Sequence, residues 1–540
     1  MLGIWNLNKR SYFHMKYMGI RRIFLSIWLI LIIHSIAYGQ IPPFHEEEIS
    51  HYFTQKCLMD HITYLASERL EGRHPGSKGS RLAADYIAGE FRKYGLAPAG
   101  NQGYFQDFTI LTRSLGEGNY LILETGEEFK VKRDFIPFHF SAVGEVCAPI
   151  IYMGYGLSSE AYDHYHQKDV KGKIAIVLEG VPEGYSLDKE TKGRLPIDKI
   201  TKAQTRGAVG VIILGESKTQ NIYSPYAIWP GHIPPALAKK WSSPRLKGRA
   251  DPPEMRVSRA ITITPKPEME ITIPCVYAKK AIFDGGISQG SILRLRVDIN
   301  EKRIQARNVM GYIEGNGNLK RQVIIIGAHY DHLGRDKNGD ICPGADDNAS
   351  GVAALIQVAA AIFKIRHVLN RSILFIAFDG EEWGLLGSRY YTHNPVFPLK
   401  DTVAMLNLDT IGRNEPNQIY LIGSARNPDL KELIEKVNKR VGMELLDTLE
   451  FAFKHGSDHY PFFQKGIPSI DYCSSLHPDY HKTTDVPEKI IPEKVSQVAK
   501  LVFLTTLAIT TTDVTFQRPR EFDFPYPTSR AGYVSEKRYY

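Results

Sequence analysis

The spacing of apolar residues changes several times along this chain, and each change marks a change of structure. Between Ile49 and Gly95 they recur every three or four positions, in HITYLASERLEG and SRLAADYIAGEFRKYG, which predicts two helices separated by the loop GRHPGSKGS. Gly95 is a helix-stop residue placed directly after the second run. From about Asp134 to Pro274 the runs shorten to APIIYMGYG, GKIAIVLEG and GAVGVIILG, divided by Gly- and Pro-rich turns. That pattern predicts a small separate unit of strands with a helix or two. From Val309 onward, QVIIIGAH, RSILFIAFDG and TVAMLNLDT are unbroken apolar runs of strand length. They alternate with the helical runs GVAALIQVAAAIFK and NPDLKELIEKVNKRVG, which predicts an α/β sheet covered on both faces. The tail after Asp513 has no period.

Composition adds limits. A chain of 540 residues is expected to form two or more domains. With 43% hydrophobic and 23% charged residues it reads as an ordinary globular protein. Five bases in the segment Met1–Gly39 (Lys9, Arg10, Lys16, Arg21 and Arg22) supply most of the formal +8, so the charge makes no case for nucleic acid. That segment contains IRRIFLSIWLILIIHSIAYG, a basic pair, an apolar core and a small-x-small ending at Ala37-Tyr38-Gly39. It reads as a secretory signal over 1–39, with Gln40 as the new N-terminus and a periplasmic or secreted product. The apolar core is short for a membrane span and His34 interrupts it, so no stable span is expected once it is removed. The five cysteines are widely separated and odd in number, which excludes a disulfide framework or a thiolate zinc site.

Ligands of open α/β sheets gather beyond the carboxyl ends of the strands. VIIIGA ends at His329, with Asp331 two residues on; ILFIAF runs into Glu381 and Glu382; VAMLNL ends at Asp409. GADDNASG places Asp346 and Asp347 at a helix start, and LHPDYHKTTD offers Tyr480 and His481. Taken alone, an acidic pair before an apolar helix suits the helix dipole, so Asp346 and Asp347 also read as capping residues. Taken together, imidazoles and carboxylates without thiolates form a donor set suited to zinc, and the charge count favours two ions. The spacing of His329 and Asp331 lets the carboxylate orient the imidazole; direct ligation by Asp331 is the alternative. Adjacent Glu381 and Glu382 face opposite ways in extended backbone, so one can ligate while the other acts as general base, in either assignment.

The stretches GAHYDHLG, PGADDNASGVAAL, FDGEEWGLLGS, NLDTIGR and DYHKTTD together resemble the M28 zinc peptidases, the di-zinc aminopeptidases and glutamate carboxypeptidases. GKIAIVLEG and TKAQTRGAVGVIIL resemble a protease-associated (PA) domain. The resemblance implies a mixed, mostly parallel sheet flanked by helices, the zinc exopeptidase fold, with a β-rich PA insert. On this reading 40–133 opens the peptidase domain, 134–275 is the insert, 276–512 is the main part and 513–540 is a tail. It further implies two zinc ions per chain, with Asp347 bridging, His329 and Asp409 completing one set, and Glu382 and His481 the other. Glu381 then matches the general base, Asp331 the acid that orients His329, and Tyr480 an oxyanion-stabilising hydroxyl. Asp346, His332, Asp458 and His459 are left in supporting roles, and the peptide after Asp347 is expected to be cis. The implied activity is release of N-terminal residues from peptides or proteins. The rivals are a glutamate-carboxypeptidase-like enzyme, a single-zinc glutaminyl cyclase and a non-catalytic binding module.

Overall fold

The computed structural model describes residues 49–159, 162–185, 189–216, 260–263, 270–284, 287–448 and 456–519. The expected signal segment and the end of the tail lie outside the described residues. Among the described residues, no helix is long and apolar enough to cross a membrane. The chain divides into two compact units, one formed by residues up to Asp107 and from Ala306 on, the other by Phe108–Gln305.

The first unit opens with helix α1 (Gln55–Leu65) and helix α2 (Lys78–Lys93). Between them, part of the stretch expected to be helical is a tight turn, Glu68–Arg73, in which Glu71, Gly72 and Arg73 all have positive φ. Gly72 is required there: a Cβ would run into the carbonyl oxygens of Gly334 and Cys342.

Most strands of the second unit lie in one sheet. Its strands are β1 (Tyr120–Leu123), β2 (Glu128–Phe129), β3 (Phe135–Pro137), β4 (Gly144–Tyr152) and β5 (Ile174–Leu178). Helix α3 (Lys189–Thr205) follows, then β6 (Gly210–Gly215), β7 (Cys275–Lys279) and β8 (Ile292–Val297). The strand order is β2-β1-β8-β4-β5-β6-β7-β3. Side chains alternate between two cores. Ile174, Ile176, Ile212 and Leu214 join Leu121, Leu293 and Leu295 in one, while Ala175, Val177, Val211 and Ile213 pack with Ile200 and Ala203 of α3 in the other. The unit reaches further at both ends than the expected 134–275, because β8 pairs with both β1 and β4. The short alternating run ILRLRV carries little sign of which sheet it joins.

The first unit resumes within β9 (Ile299–Ile313), followed by β10 (Val323–His329), helix α4 (Gly351–Lys364), β11 (Ser372–Phe378), helix α5 (Leu386–His393) and β12 (Thr402–Asp409). Then come β13 (Gln418–Ile422), helix α6 (Pro428–Asn438), β14 (Glu444–Leu446), helix α7 (His459–Gln464), β15 (Ser469–Cys473) and helix α8 (Pro492–Thr511). From β9 onward the strands of this sheet lie in the order β9-β11-β10-β12-β15-β13-β14. The central pairs, β11-β10, β10-β12 and β12-β15, are parallel, and antiparallel pairs flank them. Ile324, Ile326 and Ala328 face the core of α1, α2, α4 and α8, whereas Val323 and Ile325 face Tyr391 of α5 and Phe462 of α7. Burial on both faces is the physical reason β10 and β11 are apolar at nearly every position.

Candidate metal centre

The central parallel strands end side by side, so the residues that follow their apolar runs converge. His329 closes β10 and Asp409 closes β12. His329 Nε2 lies 3.2 Å from Asp409 Oδ1 and 3.3 Å from Asp347 Oδ1. On the other side of the same carboxylate, His481 Nε2 lies 3.0 Å from Asp347 Oδ2 and 3.3 Å from Glu382 Oε1. His332 Nδ1 is 2.9 Å from that Glu382 oxygen and 3.8 Å from Asp347 Oδ2. Two donor groups, His329–Asp347–Asp409 and His332–Asp347–Glu382, thus share Asp347, and each has its ligand atoms within 4.8 Å of one another.

These separations test whether a metal fits. Zinc bonds to nitrogen and oxygen are about 2.0 Å, and a tetrahedron of that size has edges of about 3.3 Å. The four distances that His329 and His481 make to carboxylate oxygens, 3.0–3.3 Å, match those edges. Charge points the same way: Asp331, Asp347 and Glu382 are buried, as is most of Asp409, and an excess of buried carboxylate demands a cation. The residues present fit metal of zinc type.

The titration of the site reflects this crowding. Burial pushes the Glu381 carboxyl well above the carboxylate range; the charges of Glu382 and Asp409 add to the effect while His329 opposes it. Burial, with the charges of Asp379 and Glu382, also raises Asp331 well above its usual value, against His329. Burial alone would lower His329, but Asp409 and Glu381 outweigh it and hold the imidazole well above the usual range. In the same way Glu382 and Asp347 overcome burial to bring His481 up to about 9. Asp347 is held below the usual range: burial and Glu382 push it up, but His332, His329 and His481 outweigh them.

The turn before α4 does more than cap a helix. Gly351 N–H donates to Asn348 Oδ1, so Asn348 takes the capping role. Asp346 turns away and accepts from Gly412 N–H at 2.6 Å, with His477 Nε2 3.3 Å from its other oxygen. The backbone N–H groups of Asp346 and Asp347 both donate to the Asp485 carboxylate, whose pKa burial pushes up to about 6. The Asp347–Asn348 peptide is cis, as the resemblance implies.

Asp331 behaves differently from the sequence expectation. Its carboxylate is 3.7 Å from His329 Nδ1, which lies nearer the Asp331 backbone oxygen, at 3.2 Å. The carboxylate instead accepts from the backbone N–H groups of Glu381 (3.0 Å) and Glu382 (3.3 Å), locking the pair. Tyr480 stacks on His481, with ring centroids 3.7 Å apart and planes at 20°.

Arg73 was not legible as a site residue. It is 1% exposed, and its guanidinium donates to the carbonyls of Tyr330 (2.7 Å), Pro343 (2.7 Å) and Gly344 (2.9 Å), and also to Leu65. It ties the end of β10 to the turn that carries Asp347. Its partners lie up to 271 residues away in sequence, and GRHPGSKGS shows no periodicity that would single it out.

Comparison with known proteins adds the lineage. Residues 308–506 match peptidase family M28 and residues 144–240 match the PA domain. Aminopeptidase YwaD of Bacillus subtilis (strain 168) is 28% identical over 245 residues, covering 43% of this chain and 50% of that protein. A probable leucine aminopeptidase of Trichophyton verrucosum (strain HKI 0517) is 27% identical over 222 residues, covering 39% and 60%. The matched stretches therefore span half to three-fifths of these relatives. The solved aminopeptidase from Aneurinibacillus sp. strain AM-1 aligns over 89% of this chain and 98% of its own, with 21% identity and a TM-score of 0.48. The M28 match thus lies in the first unit and the PA match in the second, ahead of it in the chain.

Proposed function

We propose that this chain is an exported di-zinc aminopeptidase. One observation carries the reading of two ions: the oxygens of Asp347 face different imidazoles, Oδ1 toward His329 and Oδ2 toward His481. Asp347 would be shared by both ions, with His329 and Asp409 holding one and Glu382 and His481 the other. When bound, the ions supply Lewis-acid polarisation of the scissile carbonyl and acidify water. Glu381 takes the proton from the attacking water and passes it to the leaving amine. Asp331 holds Glu381 and Glu382 in place through their backbone N–H groups. The stacking of Tyr480 on His481 supports a role for its hydroxyl in stabilising developing negative charge on the substrate oxygen.

The names of the related aminopeptidases support action at the amino end of peptides. Export rests on the basic pair and apolar core of Met1–Gly39. The test is Glu381→Gln: it should retain two zincs by metal analysis and lose hydrolysis of amino-acid anilides 10²–10⁴-fold. Full activity in that variant overturns the general-base assignment, and one zinc per wild-type chain overturns the di-zinc reading. Hydrolysis of N-blocked dipeptides in place of anilides would move the assignment to a carboxypeptidase.

A further inference from the structure

We infer that His332 is a positioning residue for Glu382, holding that carboxylate in its metal-binding pose; the inference rests on the di-zinc reading above. His332 is fully buried, and its Nδ1 lies 2.9 Å from Glu382 Oε1, the oxygen that His481 Nε2 approaches to 3.3 Å. A carboxylate oxygen can only accept, so Nδ1 is the donor of this contact and Oε1 the acceptor. Nε2 is buried and has no hydrogen-bond partner, so the ring's polar contact is spent on Glu382.

Two features hold the ring there. The His332 backbone N–H donates to the Arg73 carbonyl at 3.3 Å, which fixes the chain at the ring's base. Gly344, with φ +61°, leaves room for the ring: a Cβ at that position would come within 2.6 Å of His332 Cδ2. The short run His329-Tyr330-Asp331-His332 therefore serves both metal positions. His329 faces Asp409 and Asp347, Asp331 holds the Glu382 backbone, and His332 holds the Glu382 side chain. Carboxylates that ligate metals are themselves held by hydrogen bonds, and loss of such a partner typically costs 10–100-fold in metal affinity.

Asparagine and glutamine separate this role from others. Asn carries an amide nitrogen at about the position of the histidine Nδ1 and can donate to Glu382, whereas Gln places its amide further out, near Nε2. Zinc affinity is measured by competition with a chromophoric chelator on wild type, His332→Asn, His332→Gln and His332→Ala, with far-UV circular dichroism confirming that each is folded. Wild type should bind two zincs. His332→Ala and His332→Gln should weaken one of the two sites 10–100-fold and leave the other unchanged, and His332→Asn should restore the weakened site to within a few-fold of wild type. Unchanged affinity in His332→Ala, or a loss in His332→Asn equal to that in His332→Ala, overturns the positioning role. A wild type that binds fewer than two zincs instead overturns the di-zinc reading, so the two failures are distinguishable.

Discussion

The two large sheets among the described residues are built alike and end differently. In the second unit, β5 and β6 are nearly fully buried, as β10 and β11 are in the first. Beyond β5, however, opposite polar groups meet. Lys199, 2% exposed, donates to the carbonyls of Leu178 and Gly180, and Tyr277 donates its hydroxyl to Glu179 at 2.7 Å. Beyond β10, β11 and β12, acid meets acid around a few imidazoles. Burial explains why both sheets exist, but among the described residues only the arrangement beyond β10, β11 and β12 crowds carboxylates together, with His329, His332 and His481 between them.

The largest break in that contrast is Asp347→Ala. Removing the carboxylate shared by both donor groups should abolish tight binding of both zincs and bring hydrolysis to background, read by metal analysis and anilide assay. Retention of two zincs would remove the bridging role. Next comes Arg73→Ala. Loosening the tie between the end of β10 and the Asp347 turn should weaken zinc binding 10–100-fold, with partial recovery when free guanidinium is added. Wild-type affinity in that variant would make Arg73 a matter of stability alone.

The next effect falls on stability and not on zinc binding, in a neutralised region of the first unit. His61 is buried against the Tyr86 hydroxyl and Gln357, and burial, despite the nearby charges of Glu90 and Asp60, lowers its pKa to about 4. The fold therefore holds His61 neutral, while the unfolded chain takes up its proton near 6.5. Its contribution is fully present above pH 6.5 and is lost progressively as pH falls toward 4, by about 3 kcal/mol. Urea unfolding of wild type and His61→Gln at pH 7 and 4.5 measures it, and the variant should show the shallower pH dependence. The smallest effect is expected from Lys199→Met in the second unit. Orphaning two carbonyls while removing a buried charge should cost about 1 kcal/mol of stability and leave zinc content and hydrolysis unchanged. Loss of zinc there would show that the strand ends of the second unit also serve the metal centre.

The sequence by itself determined where the central strands lie and what stands at their ends. A strand buried on both faces must be apolar at nearly every position, so the end of the run marks His329, Asp409 and the Glu381-Glu382 pair without any structure. The alternation of strands and helices likewise showed a sheet covered on both faces. What the sequence left open was direction and long-range pairing. That Asp331 holds backbone N–H groups, that Asn348 caps α4 in place of the acids, and that β8 joins the sheet of the second unit depend on which way a side chain or strand edge turns after folding. Arg73, and the partner of His332, became legible only in three dimensions, because the packing of the whole sheet brings these groups close and no local periodicity records a contact across 50 to 271 residues.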